Sequence, residues 1–366
     1  MTALKDIYTT AFYQSFIETA QPHIPALDLK KFIKAIFDES WQQMELKERI
    51  RHTTKVLHKF MPDNFNEAAI LLCKIAADLQ KNNSSQNLFG YMFLPDYIEQ
   101  YGIANYKASI KAIENITQFV SCEYAIRPFI IKYPQEAINQ MLGWSKHKNQ
   151  HVRRLASEGM RPSLPWAMAL PAFKKNPEPI LPILENLKAD SSDYVRRSVA
   201  NNLNDISKDN PQVVLALAKK WKGKNELTDC IIKHGCRTLL KQGNIEILKL
   251  YALQNSAKIN VSQFNLQYEK IQTGTKLPFA FSIVNRHTTK QNIRVEYAIY
   301  FMLKNGTHYK KIFKITEGIL NAGEARVINK AHNFKLITTR QYYTGKHYLG
   351  IIINGTEKVK TQFVLI

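Results

Sequence analysis

The sequence predicts a mainly α protein with a separate all-β domain: a solenoid of stacked helices over residues 1–255, then a β-sandwich over residues 256–366 that is immunoglobulin-like in plan. The first observation is a repeat. Lys132, Pro134, Val152, Arg153 and Arg154 return 43 residues later as Lys175, Pro177, Val195, Arg196 and Arg197, which is the period of a stacked helical repeat. The second is apolar spacing of three to four up to about residue 252, as in Ile110, Ile113, Ile116 and Val120. The third is a change to alternation after Ala257, where Leu277, Phe279, Phe281 and Ile283 occupy every second position.

Taken in order, the first 110 residues are helical but irregular, as suits a terminal cap. Each of the two repeats that follow reads as a helix opened by its proline and a second helix bearing paired arginines. In the second repeat Val195, Val199, Leu203 and Ile206 form the apolar stripe. A third, diverged copy begins at Pro211, with Ile231, Lys233, Cys236 and Leu239 falling where Val195, Arg197, Ala200 and Leu203 stood. Beyond residue 257 the runs VEYAIYFML, KKIFKI, ARVI and HYLGIIIN are separated by Asn-Gly, Asn-Ala-Gly and Thr-Gly turn signals, the pattern of a sandwich.

Charge narrows the partners. Lys and Arg number 51 against 30 Asp and Glu, a net +21, which favours nucleic acid, an anionic membrane or an acidic protein. Residues 258–366 carry 17 Lys and Arg against 5 Asp and Glu, a net +12, so the smaller domain is the more densely basic and reads as a second nucleic-acid contact. No apolar run approaches the ~20 residues of a membrane span, and MTALKDIYTTAFYQSF lacks the apolar core of a signal peptide; the chain reads as cytoplasmic. Cys73, Cys122, Cys230 and Cys236 show no CxxC pairing and read as reduced core thiols. His147 and His151 lie four apart without a further ligand and read as a solvated pair. No Gly-rich phosphate loop, HExxH or nucleophile elbow is present, so neither metal nor cofactor is expected.

Three places could carry chemistry. Arg197, Asn201 and Asp205 stand at i, i+4 and i+8, on one face of a helix whose other face is the apolar stripe. Arg154, Glu158 and Arg161 make a similar face one repeat earlier. Glu123 follows Ile116, Phe119 and Val120 by one to two turns, so its carboxylate projects from an apolar stripe. A lone carboxylate there is costly, which leaves two readings: an ion pair with Arg127 one turn later, or a charge kept for chemistry. Trp166 follows Arg161-Pro162-Ser163-Leu164-Pro165, an irregular connector, where the indole is either a packing anchor or a face for a nucleotide. The loop ITTRQYYTGKH, with Arg340, Tyr342, Tyr343, Lys346 and His347, poses the same question in the second domain.

The segments HVRRLASEGMRPSLPWAMALPAF, DYVRRSVANNLNDISKDNP and KHGCRTLLKQG resemble the diagnostic segments of the AlkC-type DNA alkylation repair glycosylases, within the HEAT-like-repeat superfamily that also includes AlkD. The resemblance runs from about residue 40 to 252. The C-terminal part, with ITTRQYYTGKHYLGIIING, is similar to the immunoglobulin-like domain carried by one branch of that family. The chain departs from the family at Ser163, where members commonly carry a basic residue.

The resemblance implies hydrolysis of the N-glycosidic bond of cationic alkylated bases, N3-methyladenine and N3-methylcytosine, by a monofunctional enzyme that does not swing the base into a tight pocket. Glu123, Trp166 and Asp205 match the family's lesion-site positions, with the carboxylates stabilising positive charge on the deoxyribose. The expected contacts to double-stranded DNA are Arg127, Arg153, Arg154, Arg161, Arg196, Arg197, Asn201, Lys233, Arg237, Arg340 and Lys346, in a monomer. The alternative is a non-catalytic module that binds damaged DNA; a protein-interaction scaffold whose arginines meet an acidic partner is the third reading.

Overall fold

The computed structural model describes residues 3–82, 88–254, 256–336 and 340–366. The chain forms two compact units, Met1–Gly235 and Cys236–Ile366.

In the first unit, α1 (Thr10–Ala20), α2 (Leu29–Ile36), α3 (Leu46–His58), α4 (Phe65–Asn82), α5 (Phe93–Tyr101) and α6 (Tyr106–Ile116) precede the repeats. Then come α7 (Ile126–Lys132), α8 (Pro134–Trp144) and α9 (Gln150–Glu158). After α10 (Pro171–Lys175) follow α11 (Leu181–Leu187), α12 (Asp193–Asp209), α13 (Pro211–Trp221) and α14 (Glu226–Gly235). Proline occupies the first turn of α8 and α13, where its missing N–H costs nothing. α8 with α9, α11 with α12, and α13 with α14 pack as pairs, and α12 packs on both α9 and α14. The arginine-bearing helices are therefore neighbours. Val195, Val199, Leu203 and Ile206 are buried as the stripe requires, each side chain contributing about 1.5–3 kcal/mol. Gly235 lets α14 approach α12: a Cβ there would meet the Leu203 Cβ at 2.8 Å.

The second unit begins with α15 (Arg237–Lys241) and α16 (Ile245–Leu250), so residues 236–255, helical in sequence, cluster with the strands rather than with the repeats. One cause is a backbone contact: a Cβ on Gly355 would meet the Gly243 Cα at 2.7 Å. The strands are β1 (Ile259–Leu266), β2 (Lys270–Ile271), β3 (Lys276–Asn285), β4 (Gln291–Met302), β5 (His308–Leu320), β6 (Ala325–Asn333), β7 (Gly345–Ile353) and β8 (Thr356–Leu365). They form sheets ordered β1-β3-β6 and β2-β8-β7-β4-β5. Leu277, Phe279, Phe281 and Ile283 face inward from β3 and share a core with Val295, Ile299, Leu349 and Ile351. Asn354 and Gly355 both take positive φ at the β7–β8 hairpin, the conformation a two-residue turn demands.

The four cysteines are free, but only Cys122 and Cys236 are core thiols. Cys73 is half-buried and Cys230 is exposed on α14, which corrects the expectation of four core positions. The loop beginning ITTRQYYTGKH is described only from Arg340 onward.

Candidate active site

Glu123 does not sit on a helical stripe. α6 ends at Ile116, and Glu123 lies in the turn that enters α7. Its carboxylate accepts from Ser121 Oγ at 2.7 Å and pairs with Arg154 of α9, so the pairing with Arg127 is corrected. Arg127, wholly buried, is used elsewhere: its Nε donates to the Met168 carbonyl at 2.6 Å, and its Nη1 to those of Gly159 at 3.0 Å and Arg161 at 2.9 Å. These carbonyls lie at the end of α9 and along the connector after it, where helical partners run out. A planar fork of donors satisfies several at once. Burial, and the nearby Arg161 cation, push Arg127 down to about 10.

From Glu123 a line of alternating charge runs inward. Arg154 lies 3.6 Å from Glu158, Glu158 accepts from Arg161 at 2.6 Å, Arg161 donates to Asp205 at 2.7 Å, and Lys208 reaches the other Asp205 oxygen at 2.9 Å. The i+3 and i+4 spacings on α9 and α12 build this line, and the packing of α12 on α9 joins its halves. Asp205 is 1% exposed, whereas the Lys208 side chain is 47% exposed. Burial opposes charge on Arg154 and Arg161, yet the carboxylates beside them outweigh it and raise both guanidinium pKa values. Two carboxylates of the expected site, Glu123 and Asp205, are thus linked through Arg154, Glu158 and Arg161, each facing a cation.

Trp166 is 57% exposed and sits at φ +66°, a region costly for a bulky residue. Its carbonyl accepts from Lys47 Nζ on α3, and its ring meets Phe89 edge-on at 6.4 Å between centroids. The Trp166 ring is not a buried packing anchor.

The paired arginines divide their work. Arg153 Nη1 donates to the carbonyls of His147 and Lys148, and Arg196 Nη1 to those of Asp190 and Ser191, the same staple one repeat apart. Arg153 also pairs with Asp190 at 2.6 Å. Arg197 projects outward with its side chain 76% exposed, paired with Asp193. The line of Arg197, Asn201 and Asp205 therefore descends from solvent into the core, with Asn201 3.3 Å from His234 of α14. Lys233 is exposed on α14 and Arg237 half-buried on α15. In the second unit Arg340 stacks over Phe301 at 4.5 Å, Lys346 is exposed, and His347 is buried against Phe363. His147 and His151 do not converge: one lies 3.8 Å from Glu114, the other beside the Tyr194 ring. Among the described residues no group of three His, Cys, Asp or Glu could hold a metal ion, and no helix is long and apolar enough to cross a membrane.

Two participants leave little or no mark in the sequence. Lys208, three residues after Asp205, had a usable signal in its spacing. Lys47 had none, since 119 residues separate it from Trp166.

The family model described as DNA alkylation repair enzyme matches residues 8–239. The chain belongs to the DNA alkylation repair enzyme family. A second model, the C-terminal Ig-like domain of the uncharacterised protein YhaZ, matches residues 260–366. This family member is 42% identical to the uncharacterised protein YhaZ of Bacillus subtilis (strain 168) over 364 residues, covering 99% of each chain. It is 34% identical to the Pseudomonas fluorescens alkylpurine DNA glycosylase AlkC bound to DNA containing an abasic site analog, with a TM-score of 0.92 and full coverage of both chains.

Proposed function

We propose that this protein is a monofunctional DNA glycosylase that removes cationic alkylated bases, N3-methyladenine and N3-methylcytosine, from double-stranded DNA, acting as a cytoplasmic monomer without a cofactor and without flipping the base. The observation that carries this reading is the line of ion pairs that links Glu123 and Asp205 through Arg154, Glu158 and Arg161 beside the exposed Trp166 connector. Likeness over the full chain to AlkC bound to DNA supports DNA as the partner.

A cationic base departs with little help. When the bond between C1′ and the ring nitrogen breaks, its electron pair goes to the base and neutralises it, leaving positive charge on the deoxyribose. Carboxylates fixed near that sugar lower the barrier electrostatically. Water then bonds to C1′ and gives up a proton, which a carboxylate can accept. In the free protein the carboxylates face arginine and lysine, so they need partners removed before they can face a sugar cation. Duplex phosphates compete for those cations, and Lys208 is the one most open to them. Until then Arg154 and Arg161 fix the positions of the acids. Arg197 and Lys233, exposed on neighbouring helices, are the best-placed backbone contacts of the first unit, while Arg127, Arg153 and Arg196 support DNA contact by holding the connector and inter-helix loops. Lys241 and Lys311 line a groove of about 520 Å³ in the second unit, the unit that also carries Arg340 and Lys346 as candidate contacts.

The test is base release from methylated duplex by the parent chain, Glu123→Gln and Asp205→Asn. Both variants are expected to lose at least ~100-fold in release, a stabilising electrostatic contribution of the usual size, while retaining affinity for DNA. Parental release by Asp205→Asn removes that carboxylate from the reaction.

A further inference from the structure

Beside the connector lies a cavity of about 190 Å³ that shares Trp166 with the site described above. Phe89, Trp166 and Tyr124 supply aromatic walls, Met92 and Pro95 an apolar floor, and Glu99 of α5 the polar end. The cavity is larger than the ~150 Å³ void known to admit benzene, so one fused ring system fits and a nucleoside does not. Tyr124 adjoins Glu123 in the chain and Trp166 lines the cavity, so the cavity borders the expected lesion site.

Its polar end is organised. Arg51 grips Asp96 through Nε and Nη2 at 2.9–3.1 Å and touches Glu99 at 3.2 Å. Asp96 is thereby held by the guanidinium more closely than Glu99 is. Burial, and the Asp96 charge beside it, raise the Glu99 carboxyl above its ordinary range, which suits a carboxyl that hydrogen-bonds a neutral ring edge. Stacking walls with one hydrogen-bonding end are the recognition chemistry of a nucleobase.

We propose that this cavity is a subsite for the excised base, holding the free, neutral alkylpurine after C1′–N cleavage; it rests on the glycosylase reading. The aromatic and apolar walls favour the neutral product over the cationic lesion, because the charge is extinguished when the bond breaks. Capture of the leaving base next to the sugar also makes the free base an inhibitor.

Titration of the full-length, DNA-free protein with free 3-methyladenine, followed by tryptophan fluorescence and calorimetry, tests this. Saturable one-to-one binding is expected, weakened about fivefold or more by Phe89→Ala and by Glu99→Gln, the second of which keeps side-chain size and fold. Free adenosine should bind far more weakly. Absence of saturable binding, an affinity that neither variant changes, or adenosine binding as tightly as the base overturns the subsite. Base release from methylated duplex by the same preparation keeps the two readings apart: release without free-base binding overturns the cavity's part alone, and a chain that releases nothing overturns the glycosylase reading and the product role with it.

Discussion

Trp166 is held in a conformation its side chain disfavours, at φ +66°, and such strain costs about 1–3 kcal/mol. Four hydrogen bonds hold it there: Lys47 on its own carbonyl, Arg127 on the carbonyls of Arg161 and Met168, and the Leu170 N–H on Pro162 at 3.1 Å. With the ring largely in solvent, the strain presents the indole rather than buries it. Trp166→Gly is therefore expected to leave stability unchanged or raise it by about 0.5–1 kcal/mol, while base release falls at least tenfold. Chemical denaturation and an excision assay on the same preparation check both. At this scale the sequence is unevenly legible. The line of Arg197, Asn201 and Asp205 stands out because helix geometry alone sets it. The partners of Arg127 do not, because they lie 32 to 41 residues away and are backbone carbonyls, which leave no mark in side-chain spacing.

At the scale of elements the repeats are stapled by matching contacts. Trp144 Nε1 at the end of α8 donates to Glu114 at 2.6 Å, and Trp221 Nε1 at the end of α13 donates to Glu185 at 2.8 Å. Burial opposes the Glu185 charge, but Lys188, Trp221 and Lys220 outweigh it and hold the carboxyl down to about 2. Its folded pKa is below the ordinary value near 4.3, so its stabilising effect is complete above that value and disappears as pH falls toward 2. Glu185→Gln should destabilise the protein at pH 7, by about 1 kcal/mol or less because the side chain is a third exposed to solvent. Near pH 2 most of the difference from the parent should be gone. Thermal melts at the two pH values read this directly. The repeat period itself marks α8, α9, α12 and α13 in the sequence, since prolines and arginine pairs recur in register. β1, β2 and β8 are harder to see there: β2 has only two residues, and β8 carries Lys358 and Lys360 among its apolar positions, diluting the alternation.

Across the whole molecule the charge is divided unevenly, with +12 on residues 258–366. In the second unit burial holds Lys241 and Lys311 below their usual range, helped at Lys311 by Arg340 and Lys241 and partly offset at Lys241 by Glu296. An anion placed between such lysines relieves both burdens. Replacing both by glutamine should weaken DNA binding and reduce the slope of log affinity against log salt by about one for each phosphate no longer neutralised, leaving single-turnover release on saturated enzyme close to parental. A binding series in salt measures this. The central claim, that the ion-paired carboxylates act on the sugar of an alkylated nucleotide, is tested most directly by base release from duplex DNA containing N3-methyladenine. The account predicts release by the parent chain, and loss of release without loss of DNA binding in Glu123→Gln and Asp205→Asn. Tight binding by the parent with no base released would contradict it.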